Sequence, residues 1–123
     1  MTSVVVVEYR VRLLSIRQEL LQSLGHPIIA VHGSSAAAAL DLSLSRPGVI
    51  AIGHRDSLDS REAIRHFRNT VPKVPIVMLL GRDDPEFAGA DYNCPPDNPP
   101  RWIRTVALAL KGSNKCRAVL AFF

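Results

Sequence analysis

The sequence predicts a three-layer α/β domain, in which helices cover both faces of a parallel sheet. Short apolar runs alternate along the chain with segments of helical period, which is typical of βαβ units with right-handed crossovers. The runs are apolar at nearly every position, which favours strands buried on both faces. The 123 residues are 47% apolar, which is enough for one such core.

Five strands are predicted from the apolar runs, and turn residues separate them. Their spans are Ser3 to Val7, Pro27 to Val31, Val49 to Ile52 with Gly53 at the end, Ile76 to Leu80, and Asp91 to Cys94.

Four helices are predicted between and after the strands. The first runs from Arg10 to a stop at Gly25, the second from Ala36 to Leu44, and the third from Ser60 to Thr70. The last starts at Asn98-Pro99-Pro100 and stops at Gly112, because an N-cap residue followed by proline favours a helix start. We therefore expect a domain over residues 1–112 and a tail of unknown role over residues 113–123.

The composition indicates the cellular compartment and the classes of binding partner to expect. No apolar stretch approaches the roughly 20 residues of a membrane helix, and the first residues lack the basic segment of a secretory signal. Cys94 and Cys116 lie far apart, which favours free thiols in a reducing cytoplasm over a metal site. The net charge of +4 comes with no base-reading motif, so neither a membrane nor nucleic acid is an expected partner.

Several short stretches occur in the order and spacing of a known family. They are Ala36-x-x-Ala39-Leu40, Arg46-Pro47, Val74-Pro75-Ile76-Val77 and Gly89-Ala90-Asp91. From Ser3 to about Lys111 the chain resembles a bacterial response-regulator receiver domain of the CheY-like superfamily. The resemblance implies a flavodoxin-like sheet of five parallel strands in the order 2-1-3-4-5, and a role in two-component signal transduction.

The family's chemistry implies residues that this sequence lacks. Receiver domains carry a phosphoryl-accepting aspartate after the third strand and metal-binding acids after the first. They also carry a hydroxyl after the fourth strand and a lysine after the fifth. Here Glu8 and Tyr9 stand at the positions of the acids, and Gly53 stands at that of the aspartate. Leu80 stands at the position of the hydroxyl, and Pro96, or Pro95 in a register shifted by one, at that of the lysine. These departures from the family pattern therefore predict no phosphorylation, no metal, no cofactor and no enzymatic activity.

Other polar residues near Gly53 do not restore this chemistry. Asp56 and Asp59 lie in the following loop, where an aspartate usually caps a helix. His54 has no paired nucleophile and no hydroxyl nearby in sequence, so we do not expect it to act as a base.

The segment between the fourth and fifth strands departs from the family pattern in length. Only nine positions separate Leu80 from Gly89, and Pro85 lies inside them, so we expect a shortened fourth helix. Its surface is expected to present Phe87, Tyr92 and Asn93, with Trp102 on the last helix. The alternative for Phe87 and Trp102 is that they fill the margin of the core.

Two functions remain open from the sequence. The first is a pseudo-receiver that works by protein–protein contact, including self-association through the altered segment, the last helix and the tail. The alternative is a regulatory domain that binds a small molecule in the crevice that Gly53, Leu80 and Pro96 make less polar.

Overall fold

The structure, a computed structural model, describes residues 3–33, 47–54, 57–81, 84–95 and 99–122. Its elements are β1 (Ser3–Glu8), α1 (Val11–Leu21), a 3-10 turn (Gln22–Leu24), β2 (Ile28–His32), β3 (Pro47–Gly53), α2 (Ser57–Thr70), β4 (Ile76–Leu79), β5 (Tyr92–Cys94) and α3 (Pro99–Phe122).

The strands form one parallel sheet in the order β2-β1-β3-β4-β5. This order and the three-layer architecture confirm the predicted fold class. In a parallel sheet the carboxyl ends of the strands lie at one edge, so residues that follow β1, β3 and β4 are brought together there.

Strand residues alternate between two apolar clusters, one on each face of the sheet. Val5 and Val7 of β1 belong to the cluster that Phe67 of α2 completes. Val4 and Val6 belong to the opposite cluster, which receives Leu21 of α1 together with residues of α3. This period of two is the reason that the predicted strands are apolar throughout.

Helix boundaries agree with the sequence in one case and differ in others. Gly25 ends the first helical segment in a left-handed conformation with φ 76°, as predicted. α2 begins at Ser57, three residues before its predicted start. The predicted stop at Gly112 is wrong, since α3 continues to Phe122. The predicted helix from Ala36 to Leu44 lies outside the described residues.

The described residues between β4 and β5 contain no helical turn, where the sequence predicted a shortened helix. Side chains hold this connection in place instead. The Asn93 amide accepts a hydrogen bond from the Phe87 N–H at 2.9 Å and donates one to the Phe87 carbonyl at 3.2 Å. The Asp91 carboxylate accepts from the Arg68 guanidinium at 2.9 Å and from the Ile76 N–H at 2.7 Å. Pro85 within this connection is compatible with a non-helical path and not with a helix interior.

Replacement of Asn93 by alanine is expected to lower the free energy of unfolding by about 1–3 kcal/mol, because two half-buried backbone groups of Phe87 lose their partner. Urea denaturation of the full chain measures this difference. Asn69→Ala, at an exposed position of α2, is the matched control and is expected to change it by less than about 0.5 kcal/mol. Equal effects of the two substitutions would contradict the role of Asn93.

Candidate functional site

A buried carboxylate lies at the carboxyl end of β1. Glu8 is 1% exposed, and its Oε2 accepts the backbone N–H of Tyr9 at 2.6 Å and that of Arg10 at 3.4 Å. These two residues lead into the first turn of α1, where a negative charge is favoured by the helix dipole. Glu8 thus places a negative charge just before α1, although the first turn of the helix has no side-chain cap.

Arg17 of α1 neutralises this carboxylate. Its Nη2 lies 3.2 Å from Glu8 Oε1, and only 13% of its side chain is exposed. The pKa of Arg17 lies below its ordinary value. Burial is the largest cause and lowers it, the negative charge of Glu8 opposes this, and the positive charge of Arg10 lowers it further. A guanidinium stays protonated at any ordinary pH, so Arg17 keeps its positive charge beside Glu8. Removal of either partner would leave an uncompensated charge in the interior.

Gly53 faces the Glu8 carboxylate directly. A Cβ atom at position 53 would lie 2.5 Å from Glu8 Oε1 and 2.7 Å from its Cδ. These separations are far inside van der Waals contact. The carboxylate cannot easily move aside, since it is bonded to Arg17 and to backbone amides. Glu8 therefore fills the space that a larger side chain at position 53 would use.

Leu80 and Tyr9 complete the described part of this edge. Leu80 is 7% exposed, and its side chain joins the apolar cluster that contains Phe67. Tyr9 is half-buried, and its carbonyl oxygen lies 2.8 Å from His32 Nε2, which must donate because a carbonyl only accepts. Pro96 lies outside the described residues.

A small cavity remains between α1 and the start of α3. Its volume is about 110 Å³, and it is lined by Leu13, Ile16, Arg17, Leu20, Leu79, Leu80, Pro95, Pro99 and Trp102. Pockets that bind drug-sized ligands typically enclose about 300–1,000 Å³, so this one lies well below that range. Gly53 is not among its lining residues.

His54 has a hydroxyl partner that the sequence analysis did not find. His54 Nδ1 lies 2.7 Å from Ser60 Oγ, and both residues are buried. The expectation that no hydroxyl lies near His54 is corrected here, because the first turn of α2 folds back onto the end of β3. Helical spacing could have indicated this contact only if the start of α2 had been placed at Ser57.

The four residues predicted for contact with a partner differ in exposure. Trp102 is 6% exposed and belongs to the apolar cluster that contains Leu21. Phe87 is half-buried and packs against the cluster on the opposite face of the sheet, so both residues lie at core margins, as in the alternative. Asn93 is engaged with the Phe87 backbone, so its amide is already satisfied. Tyr92 is 40% exposed and lies on the edge strand β5. Of the four, Tyr92 is therefore the most accessible.

The described residues contain no cluster of three or more His, Cys, Asp or Glu side chains that could hold a metal ion. Among them there is also no helix of the length and apolar character that would cross a membrane.

Comparison with protein-family models gave no match, and comparison with curated proteins gave none either. Solved structures do match. The crystal structure of NtrX from Brucella abortus in complex with ADP superimposes with a TM-score of 0.82 at 22% identity, over 99% of this chain and 29% of the NtrX chain. A response regulator receiver domain protein from Clostridium thermocellum superimposes with a TM-score of 0.76 at 15% identity, over 98% of this chain and 99% of its own.

A CheY-like response regulator receiver domain protein from Methanospirillum hungatei gives a TM-score of 0.79 at 14% identity, over 94% of this chain and 98% of its own. The chain has the fold of a receiver domain. Identities of this size establish the fold alone. The chain spans less than a third of the NtrX chain, while it covers nearly all of the two other chains.

Gly53→Ala is expected to lower the free energy of unfolding by about 1–3 kcal/mol, because the added methyl group overlaps the Glu8 carboxylate. Chemical denaturation measures the loss. In a Glu8→Ala background the same substitution should cost much less, since the overlapping atoms are absent. An equal cost in both backgrounds would show that Glu8 is not what restricts position 53.

Proposed function

We propose that this chain is a receiver-like domain that takes no phosphoryl group and acts in signal transduction by contact with another protein. The observation that carries the proposal is the Glu8 carboxylate, which lies 2.5 Å from the Cβ position of residue 53 and is paired with Arg17. By resemblance, residue 53 stands at the position of the phosphoryl acceptor.

The chemistry of aspartyl phosphorylation needs a free carboxylate nucleophile and a divalent cation bound by several oxygens. Two described carboxylates lie near this edge, and both have partners. Asp84 accepts the backbone N–H of Gly81, which follows β4. Glu8 is ion-paired with Arg17 through Oε1 and accepts the N–H groups of Tyr9 and Arg10 through Oε2. It is also 1% exposed, so neither a phosphodonor nor a hydrated magnesium ion can approach it. The site supports structure and not phosphoryl transfer.

The position of the conserved family hydroxyl supports the same proposal. Leu80, which occupies it by resemblance, is packed in the apolar core. A leucine cannot donate a hydrogen bond to a phosphoryl oxygen, so a phosphoryl group at position 53 would lack the hydroxyl contact that the resemblance implies.

The outward face of α3 favours a protein partner with acidic groups. This face carries exposed Arg104, Leu108 and Lys111 at helical spacing, and Leu108 is 57% exposed. Cations that surround an exposed apolar side chain suit a partner surface with carboxylates around an apolar pocket. Tyr92 on β5 adds an exposed aromatic side chain, a residue type enriched in interfaces.

Incubation of the full chain with magnesium and acetyl phosphate is expected to give no mass increase, because Gly53 has no carboxylate at the acceptor position and Glu8 is buried. Intact-protein mass spectrometry measures the result, with a receiver domain that retains its aspartate as the positive control. A stoichiometric, base-labile adduct on this chain would overturn the proposal.

Self-association through α3 is expected to depend on concentration, on Leu108 and on salt, because Arg104 and Lys111 of two copies repel each other unless salt screens them. Light scattering of the full chain at several concentrations and raised ionic strength should show a mass above that of one chain, and Leu108→Ser should reduce it. Val11→Ser, which removes another exposed apolar side chain from α1, is the control and should leave the mass unchanged. A single-chain mass at every concentration would refute self-association and leave a different protein as the partner.

A further inference from the structure

We propose that a second cavity, between α2 and the β4–β5 connection, binds a free amino acid with an apolar side chain. The cavity has a volume of about 370 Å³ and is lined by His54, Arg61, Ile64, Pro85, Glu86, Phe87, Ala88 and Gly89. Its size lies within the range of small-molecule sites, unlike the cavity beside Trp102.

His54 supplies a fixed polar group in this cavity. The ring is 8% exposed, and its Nδ1 is held at 2.7 Å by the buried Ser60 hydroxyl. Its other nitrogen, Nε2, makes no hydrogen bond to any described residue. A ring that is held through one nitrogen presents the other in a defined direction, so Nε2 can bond a polar ligand without the entropy cost of ordering the side chain.

The charges at the cavity define the ligand class. Arg61 and Glu86 are both exposed and of opposite sign, and neither forms an ion pair with another described residue. A phosphate or simple carboxylate would gain the guanidinium and be repelled by Glu86. A zwitterion satisfies both groups, with its carboxylate on Arg61 and its ammonium on Glu86.

The rest of the wall is apolar. Ile64 is 7% exposed, and the half-buried Phe87 ring lies 5.6 Å from the His54 ring. A Cβ atom at position 89 would lie 3.3 Å from the Phe87 ring. Because residue 89 is glycine, this side of the ring is not covered by a side chain there. An aliphatic or aromatic side chain of the bound amino acid would therefore pack against Phe87 and Ile64.

L-phenylalanine is the probe for this site. Titration into the labelled full chain is expected to give saturable NMR shifts at His54, Ile64 and Phe87. Phenylalanine methyl ester lacks the carboxylate charge and N-acetylphenylalanine lacks the ammonium charge, so each should bind about tenfold more weakly or worse. No saturable shift, or equal affinity for the three compounds, would overturn the proposal.

Charge-removing variants assign each end of the ligand. Arg61→Gln should weaken phenylalanine binding about tenfold and leave binding of the methyl ester unchanged. Glu86→Gln should also weaken phenylalanine binding about tenfold, and it should leave binding of N-acetylphenylalanine unchanged. Both positions are exposed, so the variants are expected to fold. The matched controls are Arg65→Gln and Glu62→Gln, exposed residues of α2 that do not line the cavity. Equal weakening by a variant and its control would refute the assignment.

This proposal does not depend on the absence of phosphorylation. An adduct with acetyl phosphate would overturn the proposed function and leave the amino-acid proposal intact. A phenylalanine titration without saturable shifts would overturn the amino-acid proposal and leave the proposed function intact.

Discussion

The ion pair between Glu8 and Arg17, buried against Gly53, is the constraint on which the edge of the sheet depends. Burial of two charges is stabilising only when they compensate each other and find further hydrogen bonds. Here the compensation comes from α1 and from the amides that precede it. The pair therefore fixes α1 relative to β1 and closes the space above β3 at once. Glycine at position 53 and an arginine on α1 are consequences of the same packing.

The fold could be predicted because its signals are local. Each strand is a short apolar run, and each run is buried on both faces by the two apolar clusters. The strand order needed the family resemblance as well, since periodicity does not specify which strands are neighbours. The end of α3 was placed too early because glycine lowers helix stability by only about 1 kcal/mol, which a long helix can tolerate.

The sequence indicated which residues stand at this edge of the sheet, but not what they contact. Gly53 and Leu80 could be placed by counting from neighbouring stretches, which is a property of the sequence. The pairing of Glu8 with Arg17 and of His54 with Ser60 depends on how a helix docks on the sheet. Asn93 was expected at the surface, and its hydrogen bonds to Phe87 follow from the path of a connection that no local pattern specifies.

The continuity of α3 has a mechanical consequence. Its first half is anchored by Trp102, Val106 and Leu110, which are buried against the sheet, and the helix continues to Phe122. Twelve residues beyond Leu110 extend the helix by about 18 Å. A tilt of about 10° at the anchored half would then displace the far end by about 3 Å. The helix can act as a lever that enlarges a small change in core packing into a movement at a distance.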